Sequence, residues 1–85
     1  MENEKDITFL CRRLRELREK NSFTQEEMAR KLNVSNKSTI SRVEAGKTSY
    51  KTLVTFARDY CDAFGLSEAQ TEQFLRGDKI AMIFQ

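Results

Sequence analysis

Residues 24–46, TQEEMARKLNVSNKSTISRVEAG, decide the fold of this chain. The stretch opens with a capping box, in which the Thr24 hydroxyl and the Glu27 carboxylate satisfy amide groups that a helix N-terminus leaves unpaired. Apolar residues then follow at the spacing of an amphipathic helix. Asn33 tolerates the left-handed backbone conformation, and it predicts the end of this first helix.

A second short helix is predicted in the remainder of the stretch. It has a polar start around residues 35–37, and Ile40 and Val43 supply its inward stripe. Gly46 is suited to its C-terminal cap. Two short helices joined by about four residues, with basic side chains around the second, are typical of a DNA-binding helix-turn-helix. Here that element spans Thr24 to Ala45.

Apolar spacing predicts three further helices, at about residues 6–20, 49–64 and 67–76. In the 6–20 helix we expect these charged residues on the outward face: Arg12, Arg13, Arg15, Glu16 and Glu19. In the 49–64 helix these residues form the apolar stripe: Leu53, Phe56, Ala57, Tyr60, Cys61 and Phe64. The sequence contains no proline and only three glycines, and such a shortage of helix breakers fits a helical protein. The fold class is therefore predicted to be all-α. It has five helices, with the helix-turn-helix at helices 2 and 3.

The length of 85 residues limits the chain to a single domain over residues 1–85. We expect a core from residue 7 to residue 66, followed by a C-terminal helix and an apolar tail over residues 67–85. No apolar run approaches the ~20 residues that a membrane span needs. The polar N-terminus does not resemble a secretory signal, so a cytoplasmic location without membrane contact is predicted.

Several classes of chemistry lack the residues that they need. The sequence has no histidine, which is the commonest general base and metal ligand. Cys11 and Cys61 are far apart in the sequence, and we interpret them as small apolar core residues in a reducing compartment. There is no Gly-rich phosphate loop and no cysteine cluster. We therefore expect no enzymatic activity, no cofactor, no metal site and no small-molecule ligand.

Positive charge is concentrated in the middle of the chain. Residues 36–51 carry four basic side chains, Lys37, Arg42, Lys47 and Lys51, against the single acid Glu44, although the net charge of the whole chain is only +2. A local basic stripe is the electrostatic footprint of a nucleic-acid contact. It is weak evidence by itself, because many surface helices are basic.

The segments 14–32 (LRELREKNSFTQEEMARKL) and 38–49 (STISRVEAGKTS), with the apolar fourth helix, make residues 14–64 resemble the Cro and phage-repressor helix-turn-helix domains, or XRE family. The resemblance implies a compact five-helix, lambda-repressor-like domain. It also implies a small bacterial or phage-encoded transcriptional regulator, most often a repressor, that binds double-stranded DNA sequence-specifically with helix 3 in the major groove.

The resemblance further implies which side chains touch DNA. Gln25 would face a phosphate, Lys37 and Arg42 would donate to guanine O6 and N7, and Asn36 would bridge adenine N6 and N7. Hydroxyl side chains near the start of helix 3 would bind phosphates or cap the helix, and residues after helix 3 would reach the DNA backbone. The candidate DNA-contacting residues are Gln25, Ser35, Asn36, Lys37, Ser38, Thr39, Ser41, Arg42, Lys47, Thr48 and Ser49.

A structural ion pair between Arg18 and Glu44 is implied by the same resemblance. The sequence also departs from the family pattern, because the stretch from Ala29 to Glu44 is one residue longer than usual. The extra residue falls within residues 35–38, where it either lengthens the turn or starts the recognition helix earlier. Asn33 takes the place of the usual glycine in the turn.

The apolar C-terminal tail predicts a homodimer, because DNA readers of this size usually present two recognition helices. Alternatively, the tail folds back onto its own core, or the sequence is a piece of a longer repressor. The candidate dimerisation residues are Phe74, Leu75, Ile80, Ile83 and Phe84. A competing function is a protein-interaction module of the same fold, such as an antitoxin, although the basic residues of helix 3 favour DNA.

Overall fold

The structure, a computed structural model, describes residues 2–76, with side chains from residue 8 onward. This part of the chain forms five helices and no strand. The helices are α1 (Glu2–Lys20), α2 (Gln25–Lys31), α3 (Lys37–Glu44), α4 (Tyr50–Ala63) and α5 (Glu68–Arg76). The predicted all-α class with five helices is therefore confirmed. The capping residues of the sequence explain where most of these helices begin and end.

Two capping boxes fix the starts of α2 and α5. The Thr24 hydroxyl accepts the backbone N–H of Glu27 at 3.0 Å, and the Glu27 carboxylate accepts the backbone N–H of Thr24 at 2.8 Å. Ser67 and Gln70 make the same reciprocal pair at 3.1 and 2.8 Å. Each box satisfies two amides at once, so both helices start where the sequence predicts.

The ends of α1 to α4 share one backbone arrangement. The residue after each C-cap has a positive φ, at Ser22 (63°), Asn33 (60°), Gly46 (76°) and Gly65 (77°). The paired hydrogen bonds of a Schellman motif accompany it; in α1, for example, the N–H of Ser22 donates to the carbonyl of Glu19 at 2.9 Å. Each helix thus ends in a tight chain reversal, and the helices are brought into contact by short loops.

The core lies between these helices, with α1 packed on α3 and α4, α2 on α3, and α5 on α4. Its buried apolar residues are Leu10, Cys11, Leu14, Leu17, Met28, Ala29, Ile40, Val43, Leu53, Ala57, Tyr60, Cys61 and Phe74. Phe74 belongs to α5, so the core extends past the predicted boundary at residue 66. No helix within residues 2–76 is long and apolar enough to cross a membrane.

The two cysteines are core residues, as their spacing suggests. Both are unbridged and buried, and the Cys11 thiol donates to the carbonyl of Val43 at 3.4 Å. Burial raises the pKa of Cys61 to about 11 and also raises that of Cys11. At neutral pH both thiols therefore stay protonated and pack as small apolar groups.

Arg13 corrects one detail of the sequence interpretation, which placed it on the outward face of α1. It is only 3% exposed, and its guanidinium lies 5.1 Å from the ring centre of Phe9 and 4.7 Å from that of Phe74. Position 13 is three residues after Leu10 and four before Leu17, so it falls on the apolar face despite its charge. The planar cation is held by aromatic rings instead of water.

Ser22→Gly should raise the free energy of unfolding by roughly 0.5–1 kcal/mol, because glycine removes the steric cost of the left-handed conformation at φ 63°. Urea unfolding followed by circular dichroism measures the change. Asn33→Gly is the matched control at φ 60°, and its gain should be smaller, since asparagine tolerates this conformation. A loss of stability in Ser22→Gly would contradict the left-handed conformation assigned to Ser22.

Glu27→Ala should destabilise the protein at neutral pH, and the deficit should shrink as the pH falls. The hydrogen bonds from Thr24 hold the pKa of the exposed Glu27 below its ordinary value of 4.5. A carboxylate with a depressed pKa in the folded state contributes stability above its unfolded pKa and loses it as the pH drops through the folded one. Thermal melts between neutral pH and the acid range test this, with Glu26→Ala, outside the capping box, as the control.

Candidate nucleic-acid interface

The turn between α2 and α3 occupies residues 32–36, because α2 ends at Lys31 and α3 begins at Lys37. Helix-turn-helix turns commonly have three or four residues. The extra residue predicted within residues 35–38 therefore lengthens the turn and leaves the start of α3 at Lys37. Asn33, with its positive φ, takes the position where a glycine is usual.

Helix α3 has a buried side and an exposed side. Ile40 and Val43 have no exposed surface and attach the helix to the core. On the opposite side, four polar or basic side chains are exposed, at Lys37, Ser38, Ser41 and Arg42. Their spacing of one, three and four residues puts them along a single stripe. We call these four residues the outward stripe; Thr39 lies beside it and is half-buried.

Asn36 is the N-cap of α3. Its Oδ1 accepts the backbone N–H of Ser38 at 2.9 Å and also accepts the Ser38 hydroxyl. A bidentate contact to adenine would compete with these hydrogen bonds for the same oxygen. In the structure Asn36 begins α3, while Ser35, which precedes it, is exposed in the turn.

The loop after α3 holds three of the predicted DNA-contacting residues, and two of them make hydrogen bonds within the protein. Ser49 caps α4, because its hydroxyl accepts the backbone N–H of Thr52 at 3.2 Å. The Thr48 hydroxyl donates to the carbonyl of Ser49 at 3.4 Å, and the residue is half-buried. Lys47 and Lys51 are exposed. Together with Lys37 and Arg42 of the outward stripe, these lysines give the helix and its flank a positive surface.

The end of α3 is tied to α1 by an ion pair. Nε and Nη2 of Arg18 donate to the two carboxylate oxygens of Glu44, at 2.7 and 2.9 Å, and Nη1 of Arg18 donates to the carbonyl of Phe23 at 2.8 Å. The side chains of Arg18 and Glu44 are 8% and 3% exposed. The structure thus brings together the two residues that the family resemblance pairs, in a bidentate and nearly buried arrangement.

Two further helices contribute donors to the same carboxylate. The Tyr60 hydroxyl of α4 donates to Oε2 of Glu44 at 2.7 Å, and the Gln25 amide of α2 donates to Oε1 at 3.2 Å. Burial and the bond to Glu44 raise the pKa of Tyr60, so it remains a donor. The sequence interpretation assigned Tyr60 only to the core, although a tyrosine rather than a phenylalanine on an apolar stripe signals a hydrogen-bond partner.

Gln25 is therefore partly engaged inside the protein. It is half-buried, and one amide hydrogen is directed at Glu44. A primary amide carries two donor hydrogens. The second amide hydrogen consequently remains for the predicted phosphate contact. The hydrogen bond to Glu44 fixes the direction of the side chain.

The predicted dimerisation residues divide into three groups. Phe74 has no exposed surface, because it packs in the core beneath Arg13, and it is therefore withdrawn from the predicted interface. Leu75 is half-buried and packs against the core. Ile80, Ile83 and Phe84 lie outside the described residues.

Among side chains 8–76 there is also no group of three or more Cys, Asp or Glu residues that could hold a metal ion.

A family model described as a helix-turn-helix domain matches residues 10–74. The chain belongs to the helix-turn-helix domain family. The match reaches from the middle of α1 to Phe74, so α5 is part of the helix-turn-helix domain and not an appendage to it. Searches among curated proteins and among solved structures return no significant match. A helix-turn-helix domain is a DNA-binding module, and α3 is the second of its two helices.

Tyr60→Phe should lower the free energy of unfolding by about 1–3 kcal/mol, because it removes a hydrogen bond to a buried carboxylate and leaves that acceptor less satisfied. Tyr50→Phe is the matched control, since Tyr50 lies on the same helix and is exposed. Chemical unfolding of the three proteins measures the difference. Equal stability of the two variants would show that the Glu44 carboxylate does not depend on Tyr60.

Proposed function

We propose that this helix-turn-helix domain binds double-stranded DNA sequence-specifically, as a small transcriptional regulator of the Cro and phage-repressor type. The observation that carries the proposal is the outward stripe of α3, which exposes Lys37 and Arg42 on the side opposite the buried Ile40 and Val43. An α-helix fits the major groove, where base edges carry the most distinctive hydrogen-bonding pattern.

Within the stripe, Arg42 and Lys37 are the proposed base readers. An arginine donates in a bidentate manner to guanine O6 and N7, and lysine makes the corresponding single contact. Ser41 lies between them on the helix surface and is suited to a base edge or a phosphate. Because Asn36 caps the helix and binds Ser38, we assign these two residues to helix positioning.

We assign the contacts with the DNA backbone to residues on either side of the outward stripe. Lys47 and Lys51 provide exposed charges after α3, and Gln25 provides its second amide hydrogen before it. Such contacts fix the register of the protein on the duplex without reading sequence. They also make affinity depend on salt concentration, because each phosphate contact releases a counterion.

We further propose that two copies bind together, because paired recognition helices about 34 Å apart match successive turns of the major groove. Binding over a promoter would then repress transcription by excluding polymerase. Selection of bound sequences from a random DNA pool tests both points, since it returns the preferred site and the spacing of its half-sites. Absence of DNA binding at low salt would contradict the proposal and favour the alternative of a protein-interaction module.

Arg42→Ala should weaken binding to the selected site by ~1–3 kcal/mol and relax the preference at one base position. Lys47→Ala should instead weaken binding to all sequences alike and reduce the salt slope by about one. Arg58→Ala is the control, because Arg58 is exposed on α4 and pairs with Glu72 at 3.2 Å. Fluorescence anisotropy across salt concentrations distinguishes the three variants, and wild-type specificity in Arg42→Ala would refute the assigned reading face.

A further inference from the structure

A cleft of about 270 Å³ lies between α1 and the end of α3, and we call it the α1–α3 cleft. Its lining includes Thr8, Arg12 and Arg15 on one side and Glu44, Ala45 and Gly46 on the other. Thr8, Arg12 and Arg15 are exposed, and their spacing of four and three residues aligns them along one face of α1. We call Arg12 and Arg15 the arginine pair. It directs two positive charges toward the end of α3.

The arginine pair has no acidic partner among side chains 8–76. Glu16 and Glu19 follow Arg12 and Arg15 by four residues, the spacing at which ion pairs form on a helix, yet neither glutamate pairs with them. Two like charges three residues apart on one helix face repel each other. An anion in the α1–α3 cleft would relieve this repulsion, so the cleft favours a negatively charged ligand.

The one acid in the described lining of the cleft does not cancel this preference. Both carboxylate oxygens of Glu44 accept hydrogen bonds from Arg18, at 2.7 and 2.9 Å, and the Tyr60 hydroxyl donates to it as well. Its side chain is only 3% exposed. The charge of Glu44 is therefore compensated inside the protein, and the surface of the cleft is positive.

The α1–α3 cleft adjoins two residues that we assign to the DNA backbone. Glu44, in its wall, accepts the Gln25 amide at 3.2 Å, and Gly46, in the same wall, directly precedes the exposed Lys47. The outward stripe ends at Arg42, two residues before Glu44. A DNA strand carries a phosphate every 3.4 Å or so along the helix axis. A strand that passes Gln25 and Lys47 therefore brings further phosphates close to this cleft.

We propose that the arginine pair binds phosphates of the DNA backbone in the α1–α3 cleft. The inference rests on the proposed function and extends it, because none of the DNA contacts assigned above lies on α1. A guanidinium matches two phosphate oxygens with parallel hydrogen bonds, and the exposed Thr8 hydroxyl provides a further donor. Contacts of this kind increase affinity and fix the orientation of the domain without reading bases.

The salt dependence of DNA binding tests the proposal. Arg12→Gln/Arg15→Gln should weaken binding to the selected site and to an unrelated duplex several-fold, by the same factor. It should also reduce the slope of log affinity against log salt concentration by about two, because two fewer phosphates are neutralised. Fluorescence anisotropy across salt concentrations measures both quantities. Arg12→Lys/Arg15→Lys should restore the slope, since lysine keeps the charge.

The matched control is Lys31→Gln/Arg58→Gln, which removes the same total charge outside the α1–α3 cleft. Lys31 lies beside Asp59 and Asp62, and Arg58 pairs with Glu72 at 3.2 Å. This variant should keep the wild-type slope. An equal loss of slope in the two glutamine variants would show that only net charge matters, and it would overturn the proposal.

Ethylation interference locates the contact on the DNA. Ethylation of a phosphate neutralises it, so it blocks binding where the protein contacts that phosphate. Arg12→Gln/Arg15→Gln should become insensitive at specific phosphates that still block the wild type and the control variant. These phosphates should differ from those to which Lys47→Ala becomes insensitive. An interference pattern identical to that of the wild type would overturn the proposal.

Thermal melts separate DNA contact from a role in the fold. Cations beside a helix C-terminus also interact favourably with its partial negative charge, and the arginine pair lies beside the end of α3. A double variant that melts earlier but keeps the wild-type slope and ethylation pattern would assign the pair to the fold alone and overturn the proposal.

The wild-type measurement distinguishes this inference from the proposed function. If the wild type binds no DNA at low salt, the proposed function is refuted and this inference with it. If the wild type binds the selected site and Arg12→Gln/Arg15→Gln matches it in affinity, slope and ethylation pattern, this inference alone is refuted.

Discussion

The hydrogen bonds of the Glu44 carboxylate are the interaction on which the arrangement of the domain depends. It accepts hydrogen bonds from Arg18, Gln25 and Tyr60, and so connects α1, α2 and α4 to the end of α3. A nearly buried charge is tolerable only when its acceptor sites are filled, and here they are filled by donors from three helices. The same group that stabilises the fold therefore also fixes the end of α3 relative to the other three helices.

Local features of the sequence account for most of the fold. Capping residues and the residues they bind are separated by two or three positions, so Thr24, Ser49 and Ser67 identify helix starts without knowledge of the tertiary structure. The same holds for the helix ends at Asn33 and Gly65. The outward stripe was also predictable, because the positions of Ile40 and Val43 fix the opposite side of α3.

What sequence reasoning missed depends on contacts between distant parts of the chain. Arg13 was predicted to be a surface residue because it is charged, although its position lies on the apolar face of α1. Its aromatic partner Phe74 comes from the last described helix. Tyr60 looked like a simple core residue because its hydroxyl partner is sixteen positions away. The capping role of Asn36, a predicted base reader, was missed because it depends on where α3 starts, and the extra turn residue left that start open.

The separation of the two sides of α3 has an evolutionary consequence. Ile40, Val43 and Glu44 hold the eight-residue helix in place, whereas Lys37, Ser41 and Arg42 make no contribution to the core. Substitutions at the latter three positions should therefore cost little stability, and under the proposed function they would change the preferred DNA site. Under that function, a lineage that carries this domain could acquire new target sites by changing a few codons while the rest of the domain stays constant.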